Sequence, residues 1–254
     1  MDIDSLKLTE ALGLEKSPRL LSIVGGGGKS SLLFALGEQL PGRVLLTTTT
    51  RIFAAQMELS QRVLTLDHAE DWKKLTLEAG PTLVVGHVEA EKAVGVSSEC
   101  PQLALEHDRA DWVIAEADGS RMRPAKAPAE HEPVIPPETD HVVVVAGMDA
   151  LSAPIEEMTH RPERVCAITG LALHETLTPQ ALGKLLSSAA GGLKNVPPGA
   201  EVSVLLNKVE TTQQHASAEA VAETVLKEER VGRVLAGQLK PDPMAPWRVW
   251  SRPV

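Results

Sequence analysis

Short aliphatic runs recur along the chain at residues 20–24, 44–47, 82–86, 112–115, 141–146, 202–206 and 234–236. Each is apolar without alternation, the pattern of a strand covered on both faces in a parallel sheet beneath helices. Between them lie segments that read as helices, at 29–40, 69–79, 179–190 and 216–229. Strand alternating with helix predicts an α/β fold, a doubly wound, mostly parallel sheet with helices on both faces. The segment at 179–190 carries its own start and stop signals: Thr178 can cap the free amides, Pro179 suits the first turn, and Gly191 and Gly192 end the run. Residues 117–140 break the rhythm, being rich in proline and carrying Arg121, Arg123, Lys126, His131 and Glu132. Long irregular stretches inside compact domains are usually functional loops or mobile segments. No repeat, low-complexity tract or clear linker divides the 254 residues, so the expectation is a single domain over 1–254 with an irregular insertion around 117–140.

The first run leads straight into Gly25-Gly26-Gly27-Gly28-Lys29-Ser30-Ser31, followed by the apolar helical run 32–36. A strand, a glycine turn and a helix opening on Lys-Ser form the context of a phosphate loop, so a fold of P-loop NTPase type is expected. Glycines let the backbone take positive φ and bring N–H groups close to phosphate oxygens, and the helix start adds partial positive charge. Lys29 is expected to face solvent or ligand and reach the terminal phosphates, Ser30 to bind magnesium, and Ser31 to touch the inner phosphate. The usual spacing G-x-x-x-x-G-K-[ST] would put its first glycine at position 23, where this chain has Ile23. A differently shaped entrance to the loop follows from that departure.

Ligands in open α/β sheets collect beyond the carboxyl ends of strands, so the residues after each run carry the chemistry. The run at 112–115 ends in Glu116-Ala117-Asp118-Gly119-Ser120, which puts carboxylates where a phosphate-loop protein keeps the acid that orders magnesium and water. Glu116 is the first choice for the metal shell and Asp118 the second; with Lys29 they are the candidate catalytic residues. Another run ends in Thr47-Thr48-Thr49-Thr50-Arg51, where Thr48 and Thr49 are candidates for nucleotide contacts, although threonine also favours strands on structural grounds. The run at 202–206 leads to Asn207-Lys208-Val209-Glu210, which resembles the Asn-Lys-x-Asp element that reads guanine in GTP-binding proteins. Glu210 stands where that element has Asp, so Asn207, Lys208 and Glu210 are base-reading candidates with ATP and GTP both open.

Composition narrows the partners. A net charge of -9, aromatic content of 2% and no tyrosine argue against nucleic acid, which would be repelled and would find few stacking platforms. Cys100 and Cys166 lie far apart in no metal-type spacing, which argues against a disulfide framework or a zinc site and fits a reducing compartment. Residues 1–10 lack the basic region and apolar run of a signal peptide, and no uncharged apolar stretch approaches the ~20 residues needed to span a bilayer. A cytoplasmic protein with no membrane partner is expected.

Together with Lys126-Ala127-Pro128-Ala129-Glu130-His131-Glu132-Pro133-Val134-Ile135-Pro136, Val145-Ala146-Gly147-Met148-Asp149-Ala150 and His160-Arg161-Pro162-Glu163, these motifs make the chain resemble the YqeC family. The resemblance spans most of the chain. It implies an accessory protein of selenium-dependent molybdenum hydroxylases, with such a hydroxylase or a selenium or molybdenum cofactor intermediate as partner; neither element is carried by composition or spacing. The 126–136 segment is the natural second-substrate loop, since Lys126, His131 and Glu132 supply a cation, a proton-exchanging group and a carboxylate. His160 and Arg161 are candidates for the same site. Three functions remain open: a magnesium-dependent NTPase driving cofactor maturation, a small-molecule kinase or ligase of dethiobiotin-synthetase-like type, and a non-catalytic, nucleotide-controlled chaperone.

Overall fold

A computed structural model describes residues 6–14, 20–66, 68–89, 92–240 and 247–252. Part of the N-terminal segment 1–10, residues 1–5, lies outside the described residues. Nine strands form one sheet: β1 (Leu20–Gly25), β2 (Arg43–Thr48), β3 (Val63–Thr65), β4 (Gly80–Val85), β5 (Trp112–Glu116), β6 (His141–Gly147), β7 (Glu201–Asn207), β8 (Arg233–Gly237) and β9 (Arg248–Ser251). Their order is β9-β8-β7-β6-β1-β5-β2-β4-β3. Neighbours run parallel except β8 and β9, whose antiparallel pairing closes one edge. Every apolar run in the sequence is a strand of this sheet.

The runs are apolar throughout because both faces are covered. Leu21, Ile23, Val143, Val145 and Leu205 pack with α1 (Leu8–Leu12) and α2 (Lys29–Gln39), whereas Val24, Val142, Val144, Val202 and Val204 pack on the opposite face. That opposite face is covered by α7 (Pro179–Ser187) and α8 (Thr212–Val225). Polar residues inside the strands find partners: Ser22 Oγ lies 2.9 Å from Thr139 Oγ1, and His141 Nε2 lies 2.8 Å from Ser203 Oγ. The remaining helices are α3 (Ala69–Trp72), α4 (Cys100–Glu106), α5 (Ile155–Met158) and α6 (Pro162–Thr169). Cys100 and Cys166 are both free, and no helix among the described residues is long and apolar enough to cross a membrane.

Three helix boundaries differ from the sequence reading. The 69–79 segment is helical only to Trp72; beyond the turn, Leu75 and Leu77 are buried while Thr76 and Glu78 are exposed, the period of two that belongs to extended chain. Thr178 caps α7 through Ala181 N at 3.1 Å as expected, yet the helix ends at Ser187, before Gly191 and Gly192. The last long helix starts earlier than 216 because Thr211 and Gln214 make a capping box.

The connections place the site. From β1 the chain passes through α2 to β2, leaving room for β5 between them, and after β5 it returns to β6 on the other side of β1. The carboxyl end of β1 therefore sits where the winding changes direction, the position at which doubly wound sheets open a crevice. The 117–140 segment fills part of this end. It is not a bare surface loop: residues 124–129 are buried, and Ala125–Lys126 pairs in parallel with Thr159–His160.

Candidate functional site

Leaving β1, the backbone turns through Gly27 at φ 71° and Gly28 at φ 140°. A Cβ on Gly27 would lie 2.1 Å from Gly147 N, so conformation and space both demand glycine there. The first loop amides hold the loop to its neighbours: Gly25 N donates to both Asp118 carboxylate oxygens at 3.1 and 3.2 Å, Gly26 N to Val145 O at 2.8 Å, and Gly27 N to Arg123 O at 3.0 Å. Helix α2 then begins at Lys29. Amides in a first helical turn are those a helix cannot satisfy internally, which makes them natural donors to an anion.

Lys29 is more buried than its expected role suggested, with 4% of its surface exposed. Its ammonium donates to Gly25 O at 2.9 Å and lies 3.5 Å from both Glu116 Oε1 and Asp118 Oδ1. Burial alone would lower its pKa, but the Asp118 and Glu116 charges outweigh burial and raise it, so the group is cationic across the ordinary pH range. Glu116 closes the other side by accepting from Ser30 Oγ at 2.8 Å.

Asp118 opens a buried ladder of alternating charge. Its Oδ2 lies 3.0 Å from Lys126 Nζ, Lys126 Nζ reaches Glu132 Oε2 at 2.7 Å, and Arg161 grips Glu132 through two N–H···O bonds of 2.7 and 3.0 Å. Burial would raise the Glu132 carboxyl, but hydrogen bonds from Lys126 and Arg161 prevail and hold it at about 2. The ladder brings Lys29, Asp118, Lys126, Glu132 and Arg161 together over residues far apart in the chain. It places Lys126 and Glu132 inside the protein as braces, while His131 lies exposed at the surface.

Above the loop lies a cleft of about 510 Å³, bordered by Gly27, Gly28, Lys29, Ser30, Ser31, Glu116, Asn207, Lys208 and Glu210 among the residues singled out from sequence. Arg51, Gly119, Ser120, Arg121, Met122 and Lys240 complete its wall. Asn207 is a brace as well as a wall: its Nδ2 donates to Gly27 O at 2.7 Å and its Oδ1 accepts from Leu239 N at 3.0 Å. Lys208 pairs with Asp149. Thr48 and Thr49 do not border the cleft; Thr48 Oγ1 donates to Glu116 O at 3.0 Å and Thr49 Oγ1 to Val134 O at 2.6 Å, both fixing strand ends. His160 and Arg161 border a separate cavity beyond the ladder. Met122 and Lys240 had no signal in the sequence, because neither belongs to a motif and only the fold carries them to the cleft.

The model for the family described as YqeC protein matches residues 21–163. The chain belongs to the YqeC family. It is also similar to the uncharacterized protein YqeC of Escherichia coli (strain K12), 35% identical over 214 residues that cover 81% of this chain and 82% of that protein. The YqeC match runs from β1 to the start of α6 and so contains the glycine loop, Glu116, Asp118 and the whole charge ladder. Asn207, Lys208 and Glu210 lie beyond it.

Proposed function

We propose that this YqeC-family chain binds a purine nucleoside triphosphate in the cleft over the Gly25 to Ser30 loop and hydrolyses it with magnesium. One observation carries the reading. In a chain of net charge -9, the cleft wall holds Lys29, Arg51, Arg121, Lys208 and Lys240 against Glu116 and Glu210, while Asp118, Glu89 and Asp149, which do not line it, pair with Lys29, Arg51 and Lys208. A cleft lined by more cations than anions attracts a polyanion, and this one lies at a glycine loop that opens a helix.

The residues fit magnesium. Among the described residues no group of three or more His, Cys, Asp and Glu forms a metal cage, but magnesium in phosphoryl-transfer sites needs only one or two protein oxygens beside phosphates and water. Ser30 and Glu116, joined at 2.8 Å at the cleft wall, are the residues that would hold it. The ion's chemistry there is neutralisation of charge on phosphate oxygens. Lys29 adds a fixed positive charge, Asp118 and Asn207 keep the loop in shape, and Glu116 is placed to orient water. Lys208 and Glu210 line the cleft, and on this reading they meet the base. The client, on the family resemblance, is a selenium-dependent molybdenum hydroxylase or an intermediate of its selenium or molybdenum cofactor.

The test is phosphate release from ATP and GTP, each with magnesium and no acceptor. Turnover of one nucleotide supports hydrolysis and names the base. Strict dependence on an added acceptor favours the kinase or ligase reading, which the second cavity next to the ladder also favours. Absence of turnover with nucleotide-dependent capture of a molybdenum hydroxylase favours the chaperone.

A further inference from the structure

On the far side of the ladder a cavity of about 440 Å³ is bordered by Arg121, Arg123, Glu156, Thr159, His160 and Arg161, with Pro162 at its rim. Three arginines therefore border it against one glutamate, and one of them, Arg161, is already paired with Glu132. Arg161 is pre-set by its two bonds to Glu132, and Arg123 is steadied by a hydrogen bond to Glu157 O. An arginine fork has five N–H donors, so two bonds to a carboxylate leave further donors in a fixed direction. Burial, with the Arg161, Lys126 and Arg121 charges, drives the His160 pKa to about 4, so its ring is neutral near pH 7 and offers one donor and one acceptor.

The backbone points to the same place. Non-glycine residues rarely adopt positive φ, and such strain persists where surrounding structure enforces it, often at ligand sites. Arg121 (φ 50°), Met122 (φ 60°), Arg161 (φ 63°) and Lys208 (φ 63°) all border this cavity or the nucleotide cleft. Among the described residues only Asp108 and Asn195 share that conformation elsewhere. Arg121 borders both cavities, so the turn that carries it forms a partition between them.

We propose that this second cavity binds a small molecule bearing a phosphate group, next to the nucleotide cleft and sharing Arg121 with it. A planar carboxylate occupies one fork, whereas the forks of Arg121 and Arg123, with the N–H groups that Arg161 does not give to Glu132, match the several oxygens of a tetrahedral oxyanion. Thr159, buried on the paired strand, and His160 give the remaining wall polar character without adding charge. The occupant would lie next to the nucleotide cleft, across the turn that carries Arg121.

The probe is inorganic phosphate, followed through the His160 ring signals in NMR near pH 7.5, with His160→Gln used to assign them. Expected is a saturable shift that persists when magnesium and a nonhydrolysable triphosphate are present. Arg121→Met and Arg123→Met change exposed side chains and leave the ladder intact; each should weaken phosphate binding by roughly tenfold or more. The proposal is overturned if His160 does not respond, if both variants bind as tightly as the parent, or if the triphosphate analogue abolishes the response, since the ion then sat in the cleft. Should the analogue itself fail to bind while His160 still responds through Arg123, the nucleotide reading falls and this one stands.

Discussion

Replacing Asp118 with Asn tests whether the ladder holds the glycine loop in shape. Asp118 is 2% exposed, accepts Gly25 N with both oxygens, and lies 3.5 and 3.0 Å from the ammonium groups of Lys29 and Lys126. An amide keeps one oxygen for Gly25 N but turns an N–H₂ toward one of the two cations, leaving that cation short of compensation. Removing one partner of a buried ion pair costs about 3–5 kcal/mol. For a chain of this size each kcal/mol lowers Tm by about 2–4 °C, so a fall of roughly 6–20 °C is expected. Urea unfolding gives the free energy directly, provided the slope is unchanged between parent and variant. A loss below about 1 kcal/mol, the range of an exposed pair, combined with abolished turnover would refute the bracing role and make Asp118 a group that acts on substrate.

Glu116→Gln keeps the acceptor for Ser30 but removes the charge; magnesium-dependent turnover should fall roughly 10–100-fold with triphosphate affinity much less affected, and equal losses in both would contradict a metal role. Gly27→Ala introduces a Cβ 2.1 Å from Gly147 N at φ 71°; thermal unfolding should show a loss of roughly 2–5 kcal/mol from backbone strain and overpacking. Stability should also fall as pH drops from about 6.5 to 4. His141, 1% exposed and with its Nδ1 without a hydrogen bond, 3.9 Å from Glu201 Oε2, is held near pKa 4 first by burial and then by Arg233. A depressed histidine pKa means that the unfolded chain takes up the proton first across that window, so the folded state loses about 3 kcal/mol on acidification. Urea titrations at pH 7 and 4.5, compared with His141→Gln, check this: the variant should show the shallower dependence.

The sheet was legible because burial on both faces leaves long aliphatic runs, and the glycine turn from β1 into α2 because strand, glycines and Lys-Ser stand in one contiguous stretch. Strands β3 and β9 were not, since Val63–Thr65 is mostly exposed and Arg248–Ser251 is a four-residue edge strand with no buried residue. Short α4 and α6 carry too few turns for periodicity to register. At the site, adjacency in sequence was mistaken for a shared role: Lys126, His131 and Glu132 lie within seven residues, yet two are buried braces and the third is exposed. The link from Asp118 through Lys126 and Glu132 to Arg161 depends on the pairing of Ala125–Lys126 with Thr159–His160, a long-range contact no local pattern announces.

Isothermal titration of folded protein with ATP and GTP analogues in magnesium bears most directly on the cleft above Lys29. Saturable uptake of at least one of them at a single site is expected, weakened sharply in Lys29→Met. No heat of binding from either, with the protein folded by circular dichroism, would contradict that expectation.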